Sequence, residues 1–145
     1  MKLLLTSCGF YTEEIKEKFF QLITCTPEEH KVAIITTASP LKEKNPFAQK
    51  AKKDFFTMGF QDLDFIDVEL DSPDSLVDKD IIYINGGNPF YLLHHMKKSR
   101  ADQIIRQMAM KNTVIVGASA GAVILGPHIK LVHYFTPQLN FVQMN

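Results

Sequence analysis

The stretch Thr113-Val114-Ile115-Val116-Gly117-Ala118-Ser119-Ala120-Gly121-Ala122 joins an apolar run to a cluster of small residues. Its first part is β-branched and apolar, which is typical of a buried strand. The run from Gly117 to Gly121 matches the G-x-S-x-G pattern of a nucleophile elbow, a sharp turn between a strand and a helix. We therefore predict a strand over Thr113–Gly117, a short helix over Ala120–Leu125, and a serine raised above the sheet edge between them.

Apolar segments of strand length also precede this stretch, and amphipathic segments with helical spacing separate them. The predicted strands cover Lys2–Thr6, Lys31–Thr37, Leu63–Val68 and Asp80–Ile84. The predicted helices begin near Thr12, Asn45, Pro89 and Ser99, and Ser72-Pro73 is expected to open one short helical turn. Strands that are apolar on both faces and alternate with amphipathic helices indicate a mostly parallel sheet with helices on both sides. The sequence thus predicts a single three-layer α/β/α domain over residues 1–145.

The bulk composition argues against a nucleic-acid-binding protein. The chain has 145 residues, 46% of them hydrophobic, which suffices for one domain with a core. Sixteen basic and sixteen acidic residues give a formal net charge of zero. A cluster of lysines is formed by Lys42, Lys44, Lys50, Lys52 and Lys53, but Glu43 and Asp54 dilute it. Such a cluster is typical of a solvated helix face, so we predict no nucleic-acid partner.

The cysteines and apolar runs favour a soluble cytoplasmic protein without a metal or cofactor. Cys8 and Cys25 have no metal-ligand or C-x-x-C spacing, so we interpret both as reduced thiols. The run Leu3–Leu5 is too short for the core of a signal peptide. No apolar stretch approaches the roughly 20 residues that span a bilayer.

A second segment with unusual residues follows the predicted strand Asp80–Ile84. In an open parallel sheet, ligands bind beyond the carboxyl ends of the strands. The pair Gly86-Gly87 would let the backbone approach a substrate and present an N–H group. We predict the Gly87 and Ala120 N–H groups as oxyanion donors, and Gly86 and Asn88 as substrate contacts. A tight turn or a phosphate cradle is the competing interpretation, although no Lys-Ser/Thr follows as in a Walker loop.

Together the two segments resemble peptidase family S51, the dipeptidase E and cyanophycinase-like serine peptidases. The residues that carry the resemblance are Ile82-Tyr83-Ile84-Asn85-Gly86-Gly87-Asn88-Pro89-Phe90-Tyr91-Leu92-Leu93 and Val116-Gly117-Ala118-Ser119-Ala120-Gly121-Ala122. The resemblance implies a fold like that of class I glutamine amidotransferases (flavodoxin-like), with serine at the elbow instead of cysteine. It also implies an acyl-enzyme on Ser119, and substrates that are short peptides beginning with aspartate or an aspartate-rich storage polymer.

The general base is the feature that the sequence leaves open. The resemblance implies a histidine downstream of the elbow and a supporting acid between them, but no Asp or Glu follows Ser119. His133 is our candidate base, and an exposed loop histidine is the competing interpretation for it and for His128. We interpret His30 as a surface residue. The neighbours His94-His95 point in different directions on a helix, which argues against a paired metal site.

Two classes of function therefore remain. The chain is either a serine peptidase, with an unorthodox base or without its C-terminal part, or an inactive member that keeps the scaffold for binding or assembly. A cysteine-type amidotransferase is disfavoured because Cys8 and Cys25 are far from the elbow in sequence. The chain is expected to lack C-terminal elements found in relatives, although Ile129–Val132 is a candidate further strand. An unpaired sheet edge would then promote self-association, for example as a homodimer.

Overall fold

The computed structural model describes residues 1–126, which form one parallel sheet with helices on both faces. The strands are β1 (Lys2–Thr6), β2 (Lys31–Ile35), β3 (Asp62–Ile66), β4 (Ile81–Ile84) and β5 (Val114–Ala118). The α-helices are α1 (Glu13–Phe20), α2 (Pro46–Thr57), α3 (Pro89–Ser99), α4 (Ala101–Met110) and α5 (Ala120–Leu125). Short 3₁₀ turns lie at Pro27–Glu29, Lys42–Lys44 and Pro73–Leu76. The candidate strand Ile129–Val132 lies outside the described residues.

The sheet has the strand order β1-β5-β4-β2-β3, and each neighbouring pair runs parallel. The interior position of β5 places its carboxyl end between those of β1 and β4. Val116 of β5, for example, lies opposite Leu4 on one side and Tyr83 on the other. The predicted α/β/α architecture with a parallel sheet is therefore confirmed for residues 1–126.

Alternate residues of the buried strands face two separate helical layers. Ile34 belongs to an aromatic core with Phe19 of α1 and Phe55 of α2. Its neighbour Ile35 belongs to an aliphatic core on the opposite face, where Leu92 of α3 also packs. This alternation is what a strand buried on both faces requires, because successive side chains point to opposite sides.

The predicted helix starts near Thr12 and Asn45 have the hydrogen bonds expected of caps. The Thr12 hydroxyl accepts a hydrogen bond from the Ile15 N–H at 3.2 Å, and the Asn45 side chain accepts from two N–H groups at the start of α2. The start of α4 differs from prediction, because Arg100, at φ +65°, separates it from α3. Ser99 still accepts a hydrogen bond from the Ala101 N–H at 3.2 Å.

The strands β2 and β3 are each shorter than predicted at their carboxyl ends. The Thr37 hydroxyl accepts a hydrogen bond from the Val68 N–H at 2.9 Å, in place of a backbone-to-backbone bond. Such side-chain bonds compete with the sheet and end it locally. The Thr36 N–H still donates to the Ile66 carbonyl at 3.0 Å, and the residues after Thr36 form a loop at the edge where ligands bind. Among residues 1–126, no helix is long and apolar enough to cross a bilayer.

Candidate functional site

Ser119 lies on the sharp turn between β5 and α5. Its backbone has φ +53° and ψ −113°, a combination that residues other than glycine rarely adopt. Its N–H donates a hydrogen bond to the Thr6 carbonyl of β1 at 3.0 Å, which fixes the turn to the neighbouring strand. Ser119 itself is exposed. This is the strained strand-to-helix turn that the G-x-S-x-G pattern predicts.

The small residues around Ser119 let α5 approach the sheet closely. A Cβ atom on Gly121 would lie 2.9 Å from the carbonyl carbon of Ile84 and 3.0 Å from its Cβ. A Cβ atom on Gly117 would lie 2.8 Å from both the Gly121 carbonyl oxygen and a methyl group of Leu125. Larger residues at either glycine would therefore push α5, and with it Ser119, away from the sheet.

The turn after β4 lies directly beside Ser119. A Cβ atom on Gly86 would lie 3.0 Å from the Cβ and 3.5 Å from the Oγ of Ser119. Gly87 has φ +145°, and a Cβ atom there would collide with the Ala38 carbonyl group. The structure thus brings together three residues that the sequence analysis assigned to one site.

The two predicted oxyanion donors are backbone groups at the edges of this arrangement. Ala120 is the first residue of α5 and Gly87 immediately precedes the N-cap of α3. Within residues 1–126, neither N–H group has a hydrogen-bond partner. Both are therefore free of bonds to the described chain, as a donor to a substrate oxygen must be. Their role as oxyanion donors stays a prediction.

Asn88 has a structural task that the sequence analysis did not assign to it. Its Oδ1 accepts hydrogen bonds from the Phe90 N–H at 2.9 Å and the Tyr91 N–H at 3.1 Å, so it caps α3. Its own N–H donates to the Ala38 carbonyl at 2.9 Å. These bonds account for an asparagine at this position, and the predicted contact with substrate stays a prediction.

Ser119 borders a cavity of about 360 Å³ at the carboxyl edge of the sheet. The loop after β1, one face of α2 between Phe47 and Asp54, and the end of β4 form its other walls. The polar side chains among its lining residues are Ser7, Cys8, Asn45, Lys50, Asp54, Tyr83, Asn85 and Ser119.

The polar wall contributed by α2 was missed by the sequence analysis. Lys50 and Asp54 form an ion pair of 2.7 Å, and the Lys50 side chain is 52% exposed. Asn45 receives a hydrogen bond from the Asn85 amide at 3.4 Å, which ties α2 to the turn after β4. The i,i+4 spacing of the charged pair was the available signal. On a helix that spacing is equally typical of a solvated face, which is the interpretation that the sequence favours.

No histidine of residues 1–126 lines this cavity. The prediction of His30 as a surface residue is wrong, because only 8% of it is exposed. Its Nδ1 lies 2.9 Å from the Thr26 carbonyl and its ring meets the edge of Phe60. His94 and His95 lie on α3, and His128 and His133 lie outside the described residues.

A charged cluster supports the loop that contacts Gly87. The Lys42 Nζ lies 2.6 Å from a carboxylate oxygen of Glu69 and 3.1 Å from one of Asp67, and it donates to the Thr37 carbonyl at 3.3 Å. Hydrogen bonds from Lys42 and Tyr91 lower the pKa of Glu69 to about 2. Lys42 therefore does not lie on a solvated helix face as predicted, but joins the loops after β2 and β3.

The pKa of the nearby His95 is also lowered, but the cause is burial and not a hydrogen bond. His95 Nε2 lies 3.9 Å from a carboxylate oxygen of Glu69. Burial lowers the pKa of His95 although the Glu69 charge opposes that change. Within residues 1–126, no group of His, Cys, Asp or Glu side chains is arranged to hold a metal ion.

Comparison with known proteins gives consistent similarities in sequence and in fold. The profile of the family described as Peptidase family S51 matches residues 3–140. An uncharacterized peptidase of Listeria monocytogenes is 32% identical over 105 residues, which cover 70% of this chain and 51% of the relative. Peptidase E of Shewanella sp. (strain W3-18-1) is 41% identical over 56 residues, which cover 39% and 24% of the two chains.

The fold similarity extends further along the chain. The crystal structure of a "Putative Peptidase E Protein" from Listeria monocytogenes EGD-e superposes with a TM-score of 0.79 and 28% sequence identity. The superposition covers 98% of this chain and 72% of that one. In sequence, the chain spans about half the length of the first curated relatives that it matches, at 51%, 51% and 50%.

Proposed function

The chain belongs to peptidase family S51, and on that premise we propose that it acts as a serine-type peptidase on short peptides through an acyl-enzyme at Ser119. The observation that carries the proposal is the strained turn at Ser119. It holds an exposed serine beside Gly86 in the lining of a cavity of about 360 Å³. A strained serine turn of this kind is typical of a hydrolase nucleophile.

In the proposed reaction, the Ser119 Oγ attacks the carbonyl carbon of a peptide bond. A base takes the hydroxyl proton, and the negative charge passes to the carbonyl oxygen, where the Gly87 and Ala120 N–H groups donate to it. Collapse of this intermediate breaks the C–N bond, and the departing amine takes the proton. Water then hydrolyses the ester and restores the serine. One oxyanion donor accelerates such a reaction by about 10² to 10³.

The reaction also needs a general base and a substrate that fits the cavity. A serine hydroxyl is a weak nucleophile without a base, and His133 is our candidate. For the substrate, the Lys50 ammonium group in the cavity wall supports peptides that contain aspartate, as the family resemblance implies. Its partner Asp54 leaves Lys50 free to make a second hydrogen bond, because an ammonium group has three donors.

Labelling with a fluorophosphonate probe tests the nucleophile directly. We expect the probe to react with the wild-type chain at Ser119 and to leave the Ser119→Ala variant unlabelled. His133→Ala should slow the labelling, and His128→Ala serves as its matched control. Equal labelling of wild type and Ser119→Ala would contradict the proposal.

An inactive scaffold for binding or assembly is the second candidate, because no histidine of residues 1–126 lines the cavity of Ser119. The two candidates differ in turnover. Release of free aspartate from Asp-Leu by the wild-type chain, and not by Ser119→Ala, supports the peptidase. Peptide binding without labelling or cleavage supports the scaffold. We further propose a cytoplasmic location, which the free and exposed Cys8 and Cys25 support.

A further inference from the structure

Tyr83 combines a core ring with a hydroxyl group that the core does not need. The residue lies on β4, and only 3% of it is exposed. Its ring centroid is 5.7 Å from those of both Phe10 and Phe55, within the aromatic core between the sheet and α1 and α2. A phenylalanine would make the same ring contacts. The hydroxyl therefore requires an explanation of its own.

The Tyr83 hydroxyl faces the cavity that Ser119 borders. Within residues 1–126, no hydrogen bond reaches its oxygen, although Tyr83 is a lining residue of that cavity. The Tyr83 oxygen is not one of the buried polar atoms that lack a partner, so it is open to the cavity and is not sealed inside the core. A ligand that fills the cavity therefore meets a hydroxyl group that no described protein group occupies.

The loop after β1 keeps this hydroxyl uncovered. Gly9 has φ +63°, and a Cβ atom there would lie 2.5 Å from the Tyr83 oxygen. Any other residue at this position would occupy the space directly beside the hydroxyl. Glycine at position 9 thus preserves access from the cavity to Tyr83.

The surroundings of Tyr83 also fix its chemical role. Burial raises the pKa of Tyr83, and the nearby Asp54 and Cys8 raise it further, so that the phenol stays protonated at physiological pH. It is then a neutral O–H donor. The other cavity groups that carry N–H donors are Asn45, Lys50 and Asn85. A cavity with these donors suits a ligand that presents an oxygen acceptor.

We propose that the Tyr83 hydroxyl donates a hydrogen bond to a side-chain oxygen of the substrate residue in this cavity. Tyr83 is then a specificity-determining residue that favours aspartate or asparagine over leucine, which has the same shape but no oxygen. A site built to donate to an oxygen rejects the analogue without it, because the donor is left unpaired. The inference rests on the proposed function, since it assigns a subsite to the cavity of Ser119.

Equilibrium binding to the Ser119→Ala chain tests this inference without turnover. The probes are the dipeptides Asp-Leu, Asn-Leu and Leu-Leu, titrated by calorimetry. We expect Tyr83→Phe to weaken Asp-Leu and Asn-Leu by about tenfold, the amount that one hydrogen bond contributes, and to leave Leu-Leu unchanged. Weaker binding of Asp-Leu alone would identify the acceptor as a carboxylate. Equally weakened binding of Asp-Leu and Asn-Leu would identify it as a carbonyl oxygen. Tyr11→Phe, which removes an exposed hydroxyl outside the cavity, is the matched control.

A second measurement keeps the inference falsifiable. Because the hydroxyl has no partner in the described chain, Tyr83→Phe should unfold at the same temperature as wild type or a higher one. A lower unfolding temperature would reveal an internal partner and overturn the inference. So would equal weakening of all three dipeptides, or a failure of all three to bind. Fluorophosphonate labelling of wild type reports separately on Ser119, so peptide binding without labelling would contradict the proposed function alone.

Discussion

At the scale of single residues, Ser119 presents its hydroxyl group from a strained backbone conformation. Its φ of +53° suits glycine better than any residue with a Cβ atom. We expect Ser119→Gly to raise the free energy of unfolding by about 1 kcal/mol relative to Ser119→Ala. Both variants lack the hydroxyl, so urea unfolding of the pair isolates the strain. Equal stability of the two variants would show that the turn is relaxed.

Gly87 is the second residue whose backbone conformation is part of the site. Its φ of +145° and its contact with the Ala38 carbonyl leave no room for a methyl group. Gly87→Ala should lower the free energy of unfolding by about 2 kcal/mol and slow fluorophosphonate labelling about 100-fold, because the turn must move. Gly126→Ala is a suitable control, since a Cβ atom there meets nothing closer than 3.3 Å. Labelling of Gly87→Ala at the wild-type rate would argue against an oxyanion role.

The residues that sequence analysis identified and those that it missed differ in the range of their interactions. Ser119 and Gly87 belong to short motifs in which the local turn dictates the residue type, so a pattern is sufficient. The role of Tyr83 depends on the loop after β1, which places Gly9 beside its hydroxyl. Lys50 belongs to the cavity only because α2 packs beside that loop. No local pattern carries such information.

At the scale of elements, the start of α3 links helix stability to the candidate site. Asn88 caps this helix immediately after Gly87. Asn88→Ala should lower the free energy of unfolding by about 1 kcal/mol, whereas Asn88→Asp should keep the cap because a carboxylate also accepts from helix N–H groups. Thermal unfolding of both variants measures how much the cap contributes to stability. A loss of peptide binding in Asn88→Asp at unchanged stability would assign the side-chain amide to substrate.

The ion pair between Lys42 and Glu69 joins the loops after β2 and β3, and its contribution to stability should depend on pH. Lys42 and Tyr91 lower the pKa of Glu69 to about 2 from an ordinary value of 4.5. A lowered carboxyl pKa stabilises the fold above about pH 4.5, and this stabilisation is lost as the pH falls toward 2. We therefore expect the unfolding temperature to fall less between pH 6 and pH 3 in Glu69→Gln than in wild type. Glu43→Gln, on an exposed side chain of the same region, controls for general acid effects.

The order of strands and helices was predictable because burial on both faces imposes a pattern on sequence. The residues at which the strands and helices end were less predictable. Thr36 and Thr37 have the β-branched composition of a strand, yet the Thr37 hydroxyl bonds to the Val68 N–H and ends the ladder. Apolar Leu22 and Ile23 pack against the aromatic core although α1 ends at Phe20. Hydrophobic periodicity identifies the buried face of a helix, but it does not show where the helix ends.

At the scale of the whole molecule, the self-association expected from the sequence stays a prediction. In the five-stranded sheet of residues 1–126, β1 is an edge strand, and its Leu3 and Leu5 are 36% and 47% exposed. An exposed apolar edge strand favours pairing with a second copy. We expect light scattering to detect a dimer, and Leu5→Lys to shift it toward monomer. The exposed Leu70, changed to Lys, is the control away from this edge. A monomeric wild-type chain would contradict the expectation.

The strand order was beyond sequence analysis at this scale. Alternation of strands and helices indicates a parallel sheet, but it does not say which strands are neighbours. The order found here places β5 between β1 and β4. That placement puts Ser119 next to the loop of β1 on one side and the Gly86-Gly87 turn on the other. The site is thus a product of topology as much as of motifs.

The hydrogen bond between the Ser119 N–H and the Thr6 carbonyl also affects when the serine turn can form. During synthesis β1 is the first of the five strands to leave the ribosome and β5 is the last, so Lys2 stays unpaired until Val114 has been made. Contacts between such distant positions form slowly, because the intervening chain must first be ordered. A nascent chain without β5 therefore has no serine turn, and the turn arises only when the fold of residues 1–126 closes.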